Sequence, residues 1–260
     1  MPTAPNRLPL LGHVIPLARR PLEFLTDARR GGDVVKVYLG TSPTYLLNSP
    51  DLIHQVFVTD AAKYHKGKLF DVLRPILGNG LVNSEDVLHR RQRKLIRPAF
   101  QQNRLPGYVE AMSAVAAERT AGWQPGQRLA VDEVTSDYVL RVLARTLLPT
   151  QPTAVINEVQ RALPVLMGEV LRQMALPSTV ATWRTPGRRR YERAKAVIHR
   201  AADEVIATYR ADGTDHGNLI SVLVNARDDE TDETMTDAQV RDEIVTMLVA
   251  AVDNAGVGLA

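Results

Sequence analysis

"YHKGKLFDVLRPILGNGLVNSEDVLHRRQRKLIRPAF", residues 64–100, is the stretch on which the reading turns. Its second half opens on Ser84 with Glu85 and Asp86 in the first turn, where the helix dipole favours acids, so a helix is predicted over 84–97. His89 and Arg93 are four apart on that helix and share a face. Arg90, Lys94 and Arg97 form an adjacent stripe at i, i+4 and i+7. A donor pair at i, i+4 suits an anion such as a carboxylate, because both groups make charge-assisted hydrogen bonds. On spacing alone a solvated basic face is the commoner meaning of such a stripe. In the first half, "GNGLVN" (78–83) begins like a dinucleotide fingerprint but lacks the third glycine and a surrounding βαβ unit. "KGK" (66–68) has no glycine at the phosphate-loop offset.

Toward the C-terminus, Thr236 and Gln239 are spaced as a capping box. Val240, Ile244, Met247, Leu248 and Ala251 then recur at helical spacing. From Ile244 to Val252 only Thr246 is polar, which marks a helix buried in a large core. Into that run come Asp253 and Asn254. A carboxylate in an apolar helix is costly to bury unless paired, so the pair is a functional candidate. The competing reading ends the helix there and leaves both residues in water.

Elsewhere the chain reads as mostly helix. Its first thirty residues are proline-rich, then helical at "PLEFLTDARR". "DVVKVYLGTSPTYLLN" (33–48) alternates like a hairpin around Gly-Thr-Ser-Pro. Ser49 and Pro50 start a short helix. Helices are predicted near 105–122, 133–148, 153–174, 186–211 and 217–226, with a short strand at "QRLAVDE" (127–133). The 260 residues are 45% hydrophobic and 23% charged, ordinary for a globular protein. A net charge of +3 is too slight to argue for nucleic acid as a partner, and none is expected. The basic cluster "RTPGRRRYERAK" (184–195) reads as a solvated turn. There is no cysteine, which removes disulfides, thiolate ligands and cysteine nucleophiles from these residues. No histidines pair at i, i+3 or i, i+4, no G-x-S-x-G elbow occurs, and no apolar run reaches the ~20 residues of a transmembrane segment. With no signal peptide either, a cytoplasmic protein without a transmembrane segment is expected.

Together these pieces resemble the N-terminal part of a cytochrome P-450 of the soluble bacterial type. The 64–100 block looks like the family's run from the substrate-covering loop into the C helix: Lys-Gly, Leu-Arg-Pro, Gly-x-Gly-Leu, then W-x-x-x-R and Pro-x-Phe. Here "HRRQR" occupies the W-x-x-x-R positions, with His89 for tryptophan. The resemblance implies that His89 and Arg93 bond a haem propionate, and it favours the anion-pair reading. The opening "PNRLPLLGH" resembles the family's proline-rich start, and the hairpin its first β-sheet. Residues 153–211 match the F–G region, with "LPSTVATWRTPGRRRYERA" (176–194) over the substrate pocket. The helix from about 236 resembles the I helix, whose usual Ala-Gly-x-Asp/Glu-Thr reads here "AAVDN". That implies Ala250 and Ala251 on the distal haem face, with Asp253 and Asn254 handling protons near bound oxygen. An amide both donates and accepts, but it does not relay a proton as a hydroxyl does.

The implied fold is mainly α with a small β-sheet: one incomplete cytochrome P-450 domain over 1–260, truncated before the K helix and the haem-binding loop. The strings "EVQR" (158–161) and "EVLR" (169–172) match the K-helix E-x-x-R but precede the I helix, and read as chance. The implied activity is a haem-thiolate monooxygenase using haem b and O2 to insert one oxygen atom into an apolar small molecule. Its implied electron source is a ferredoxin-type partner near Arg90, Arg91, Lys94 and Arg97. Phe70, Leu73, Ile76, Leu77 and Leu81 are candidate substrate contacts, though core packing explains them equally. Lacking the axial cysteine, this chain is expected to be inactive alone. The alternative is a non-catalytic helical binding module on the same scaffold.

Overall fold

The computed structural model describes residues 1–149, 151–175, 186–228 and 232–259, with backbone alone for 68, 69, 72, 170–175, 186 and 252–259. Backbone contacts group the chain into two units, Met1–His65 and Lys66–Ala260.

The first unit holds helices α1 (Val14–Arg19) and α2 (Pro21–Arg29), an antiparallel hairpin of β1 (Val34–Leu39) and β2 (Ser42–Leu47), and a short helix α3 (Pro50–His54). The register pairs Val35 with Leu46 and Val37 with Thr44, so the β1 residues of one face, Val35 and Val37, pack with Phe24, Ala28 and Ala4. His13 is fully buried and ties this small core to the backbone. Its Nδ1 accepts the Tyr38 amide at 2.9 Å, and Nε2 lies 2.9 Å from the Ala4 carbonyl.

The second unit is helical: α4 (Lys68–Leu77), α5 (Asp86–Ile96), α6 (Leu105–Thr120), α7 (Val131–Leu147), α8 (Thr153–Ala175), α9 (Pro186–Asp212), α10 (Leu219–Asn225) and α11 (Asp237–Leu259). Its core is continuous across α4, α5 and α7 to α11. On α9 the buried residues Tyr191, Ala194, Ile198, Ala201, Ala202, Val205 and Tyr209 recur at helical spacing, and the alanines let neighbouring helices approach closely. On α11 Val240, Ile244, Val245, Leu248 and Val249 are buried.

Side-chain caps set the starts of α10 and α11. The Thr236–Gln239 capping box forms in both directions: the Gln239 amide donates to Thr236 Oγ1 at 3.3 Å, and the Thr236 amide to Gln239 Oε1 at 2.9 Å. Asn218 caps α10 by accepting the Ser221 amide at 3.0 Å. Two sequence expectations are corrected. Residues 127–130 form no strand, and Val131 instead begins α7, with Asp132 and Glu133 in its first turn. Helix α5 starts at Asp86 rather than Ser84, because the buried Ser84 closes the preceding turn through its amide to the Gly80 carbonyl at 2.9 Å. The Ser84 side chain caps nothing; its hydroxyl faces the Leu81 carbonyl at 3.5 Å.

The two E-x-x-R strings lie in α8. Glu158 pairs with Arg200 of α9 at 3.2 Å, while Arg161 bonds its own helix at the Asn157 carbonyl. The stretch 176–185, the front of the predicted lid region, lies outside the described residues.

Candidate functional site

Helix α4 ends at Gly78, and residues 78–84 turn the chain into α5. This loop is pressed against α11. A methyl group on Gly80 would overlap the Thr246 hydroxyl and the Asp242 carbonyl oxygen, and one on Gly78 (φ 55°) would overlap the Asp242 carboxylate. Consecutive α11 carboxylates hold alternate loop amides. Asn79 N–H donates to Asp242 Oδ2 at 2.8 Å, and Leu81 N–H to Glu243 Oε2 at 3.0 Å. From α5, Gln92 Nε2 donates to the Asn79 carbonyl at 2.7 Å. The Lys66 ammonium donates to the carbonyls of Val82 and Ser84, both at 2.6 Å, and of Leu81 at 3.3 Å. Burial pulls the Lys66 ammonium below its ordinary pKa, with Glu85 opposing. The loop is thus gripped from three sides, with Leu81 half-buried at its centre.

Beyond the loop, His89 is half-buried and its Nδ1 is shielded from water with no partner among the described residues. Burial first, then the cations Lys66, Arg93 and Arg90, hold its imidazole below the ordinary range, favouring the neutral ring. One turn on, Arg93 is exposed and lines a cleft of about 500 Å³ with Leu81, Ile96, Arg97 and Phe100. A ring nitrogen and a guanidinium one helical turn apart, both without a partner among the described residues, are a donor set for a carboxylate.

Two other cations of α5 are engaged. Arg91 pairs with Glu233 at 3.1 Å and Asp228 at 3.7 Å, and Lys94 with Asp228 at 3.7 Å. The predicted stripe is therefore divided. Arg91 and Lys94 serve the loop before α11, Arg97 lines the cleft, and Arg90 is exposed.

Of the candidate substrate contacts, Leu81 shares the cleft with Arg93, while Ile76 and Leu77 are buried in the core and Leu73 packs on it. Phe70 is half-buried, 5.8 Å from the Lys66 ammonium. On α11, Ala250 and Ala251 are half-buried, and the helical backbone continues through Asp253 and Asn254, whose side chains lie outside the described part. The helix does not stop at the polar pair. Sequence reading missed Asp242, Glu243, Gln92 and Lys66. Their signal was the Gly-x-Gly pair, which demands close backbone approach, and an acid spaced with Val240, Ile244 and Met247 on a buried helix.

The family model described as Cytochrome P450 matches residues 2–260. The chain belongs to the cytochrome P450 family. It is 39% identical over 250 residues to cyclooctat-9-en-7-ol 5-monooxygenase of Streptomyces melanosporofaciens, covering 95% of this chain and 54% of that protein. It is 32% identical over 252 residues to pentalenene oxygenase of Streptomyces avermitilis, covering 96% of this chain and 56% of that protein. The P450 fold is also shown by a crystal structure of the cytochrome P450DA heme domain, with TM-score 0.83 at 21% identity, covering 98% of this chain and 57% of that one. The chain spans about half the length of the curated relatives it matches. Haem is the cofactor of this P450 family. No helix among the described residues is long and apolar enough to cross a membrane.

Proposed function

We propose that this chain supplies the distal side of a P450 monooxygenase site, with α5 as the C helix and α11 as the I helix. The observation that carries the reading is the His89–Arg93 donor set beside a loop clamped to α11. The residues present fit haem: a buried His89 Nδ1 and an exposed Arg93, neither with a partner among the described residues, are what a propionate carboxylate needs. When bound with its thiolate, haem supplies the oxygen-activating chemistry of the reaction.

What the chain's own residues do follows from their chemistry. His89 donates from Nδ1 to the propionate, and Arg93 adds a charge-assisted bond from the solvent side. Ala250 and Ala251 keep α11 slim where a planar cofactor approaches. Asp253 holds a proton for delivery, and the Asn254 amide orients water or ligand by donating and accepting at once. Leu81, with Phe70 and Leu73, contributes apolar surface toward the substrate. The names of two relatives point to unsaturated hydrocarbon skeletons, cyclooctat-9-en-7-ol and pentalenene, and we propose an apolar substrate of that kind. An acidic ferredoxin-type partner meets Arg90 and Arg97 directly, and Arg91 and Lys94 only by exchange with Asp228 and Glu233. These 260 residues contain no cysteine, so they provide no thiolate, and we propose that they bind haem without turnover. That same composition favours the second reading, a binding module that has kept the scaffold.

Hydrogen exchange with and without haemin tests the distal-site reading. Added protection at residues 78–93 and 247–254 is the expected result. Protection spread evenly over the chain, or centred on α6 to α8, contradicts it.

A further inference from the structure

The two carboxylates that hold the 78–84 loop are neighbours in sequence but sit in different surroundings. Asp242 is half-buried and within reach of water. Glu243 is fully buried; its Oε2 accepts Leu81 N–H at 3.0 Å, but its Oε1 has no partner among the described residues. The Thr246 hydroxyl, three residues on and equally buried, also lacks one. We propose that Glu243 is a positioning residue for the 78–84 loop, holding Leu81 over the site through a grip that is firmest while its carboxyl carries a proton.

The charges on every packed element support this. On α11 itself, Asp242 adds repulsion and Arg241 is taken by Asp203 of α9 at 3.0 Å. On α4, Arg74 serves Asn79 Oδ1 and Asp71. Lys66 is occupied by three carbonyls, and Arg91 of α5 by Asp228 and Glu233. Burial and nearby cations hold His199 of α9 below its ordinary pKa, favouring the neutral ring. Helix α10 carries no ionisable residue. On α7, Asp137 pairs with Arg119 and Arg141, Arg145 pairs with Glu118, and Asp132 and Glu133 are exposed at its start.

An ionised Glu243 would therefore be a buried charge with one hydrogen bond and no cation. Such a charge is relieved by opening the loop and admitting water. Burial, reinforced by Asp242 and opposed by the Leu81 amide, pushes the carboxyl up to about 7 from 4.5. The sign follows. With the loop closed the group holds its proton to higher pH than when hydrated, so the grip is complete below about 4.5 and is lost as pH rises through about 7. This inference depends on the distal-site reading only for what the loop is for.

The test is amide exchange at Asn79 and Leu81 in the full chain, expressed as protection factors from about pH 5.5 to 7.5. Wild type is expected to lose protection roughly twenty-fold over that range. Glu243→Gln keeps an acceptor for Leu81 N–H and cannot ionise, so its protection should be flat with pH. Glu243→Leu removes the acceptor and should be poorly protected throughout; if it fails to fold, the glutamine variant decides alone. A flat wild-type profile, or an equal slope in Glu243→Gln, overturns the proposal. Haemin affinity read on the same samples separates the two ideas. A wild-type slope that vanishes in Glu243→Gln supports the grip even where haemin adds no protection to the loop. A flat wild-type profile with normal haemin protection refutes the grip and spares the distal site.

Discussion

Two faces of α5 carry positive charge, and the rest of the chain treats them differently. Arg91 and Lys94 meet Asp228 and Glu233, which close the loop before α11 onto the helix. His89 and Arg93, a single helical turn apart, meet no acid among the described residues, and His89 is shielded from water besides. Charge that the fold neutralises serves packing. Charge left unmet beside a cleft supports the proposal that it is held for a ligand. If one face serves stability and the other the proposed ligand, substitutions on each should move different observables.

The largest effect is expected where both faces depend on the same support. Gly80→Ala forces a methyl group into Thr246 and the α11 backbone, which should cost about 2–3 kcal/mol and weaken haemin binding too, read by denaturant unfolding and Soret titration. Next comes the ligand face. His89→Ala with Arg93→Ala should weaken haemin roughly tenfold to a hundredfold, as expected for losing charge-assisted bonds, with little change in melting temperature. The packing face should answer in reverse. Arg91→Ala takes one guanidinium from the buried Asp228, leaves its pairing with Lys94 in place, and should lower stability by about 1 kcal/mol, measured by urea unfolding, while haemin affinity holds. Smallest of all, Arg90→Gln, exposed and unpaired among the described residues, should change neither by more than about 0.5 kcal/mol. An Arg91 variant that loses haemin while keeping its stability would erase the distinction between the faces.

The division also marks what could be read from sequence. Helices, the hairpin, and the His89–Arg93 spacing are local patterns, and the Thr236–Gln239 cap formed as its spacing requires. Ser84 misled because a residue type favoured at helix starts was used to close the turn one step earlier. The strand expected at 127–133 gave way because its acids serve the first turn of α7 better than a lone strand with no partner. The grip on the loop was illegible for a different reason. Asn79 and Asp242 are 163 positions apart, and Leu81 and Glu243 162, so no local period links them. Only the demand of Gly78 and Gly80 for close approach hinted that something pressed there. The pairing of Arg91 and Lys94 was hidden likewise, since a basic stripe reads the same whether solvated or met by a distant acidic loop.

The most direct measurement is a cycle of four titrations: haemin and its dimethyl ester, each against wild type and against the His89→Ala/Arg93→Ala variant. The ester keeps the porphyrin and iron and removes the propionate charge. Wild type should prefer haemin over the ester by roughly tenfold or more, and the variant should show no preference. If the preference is absent in wild type, or survives in the variant, His89 and Arg93 do not hold a propionate, and the assignment of α5's open face to the cofactor fails.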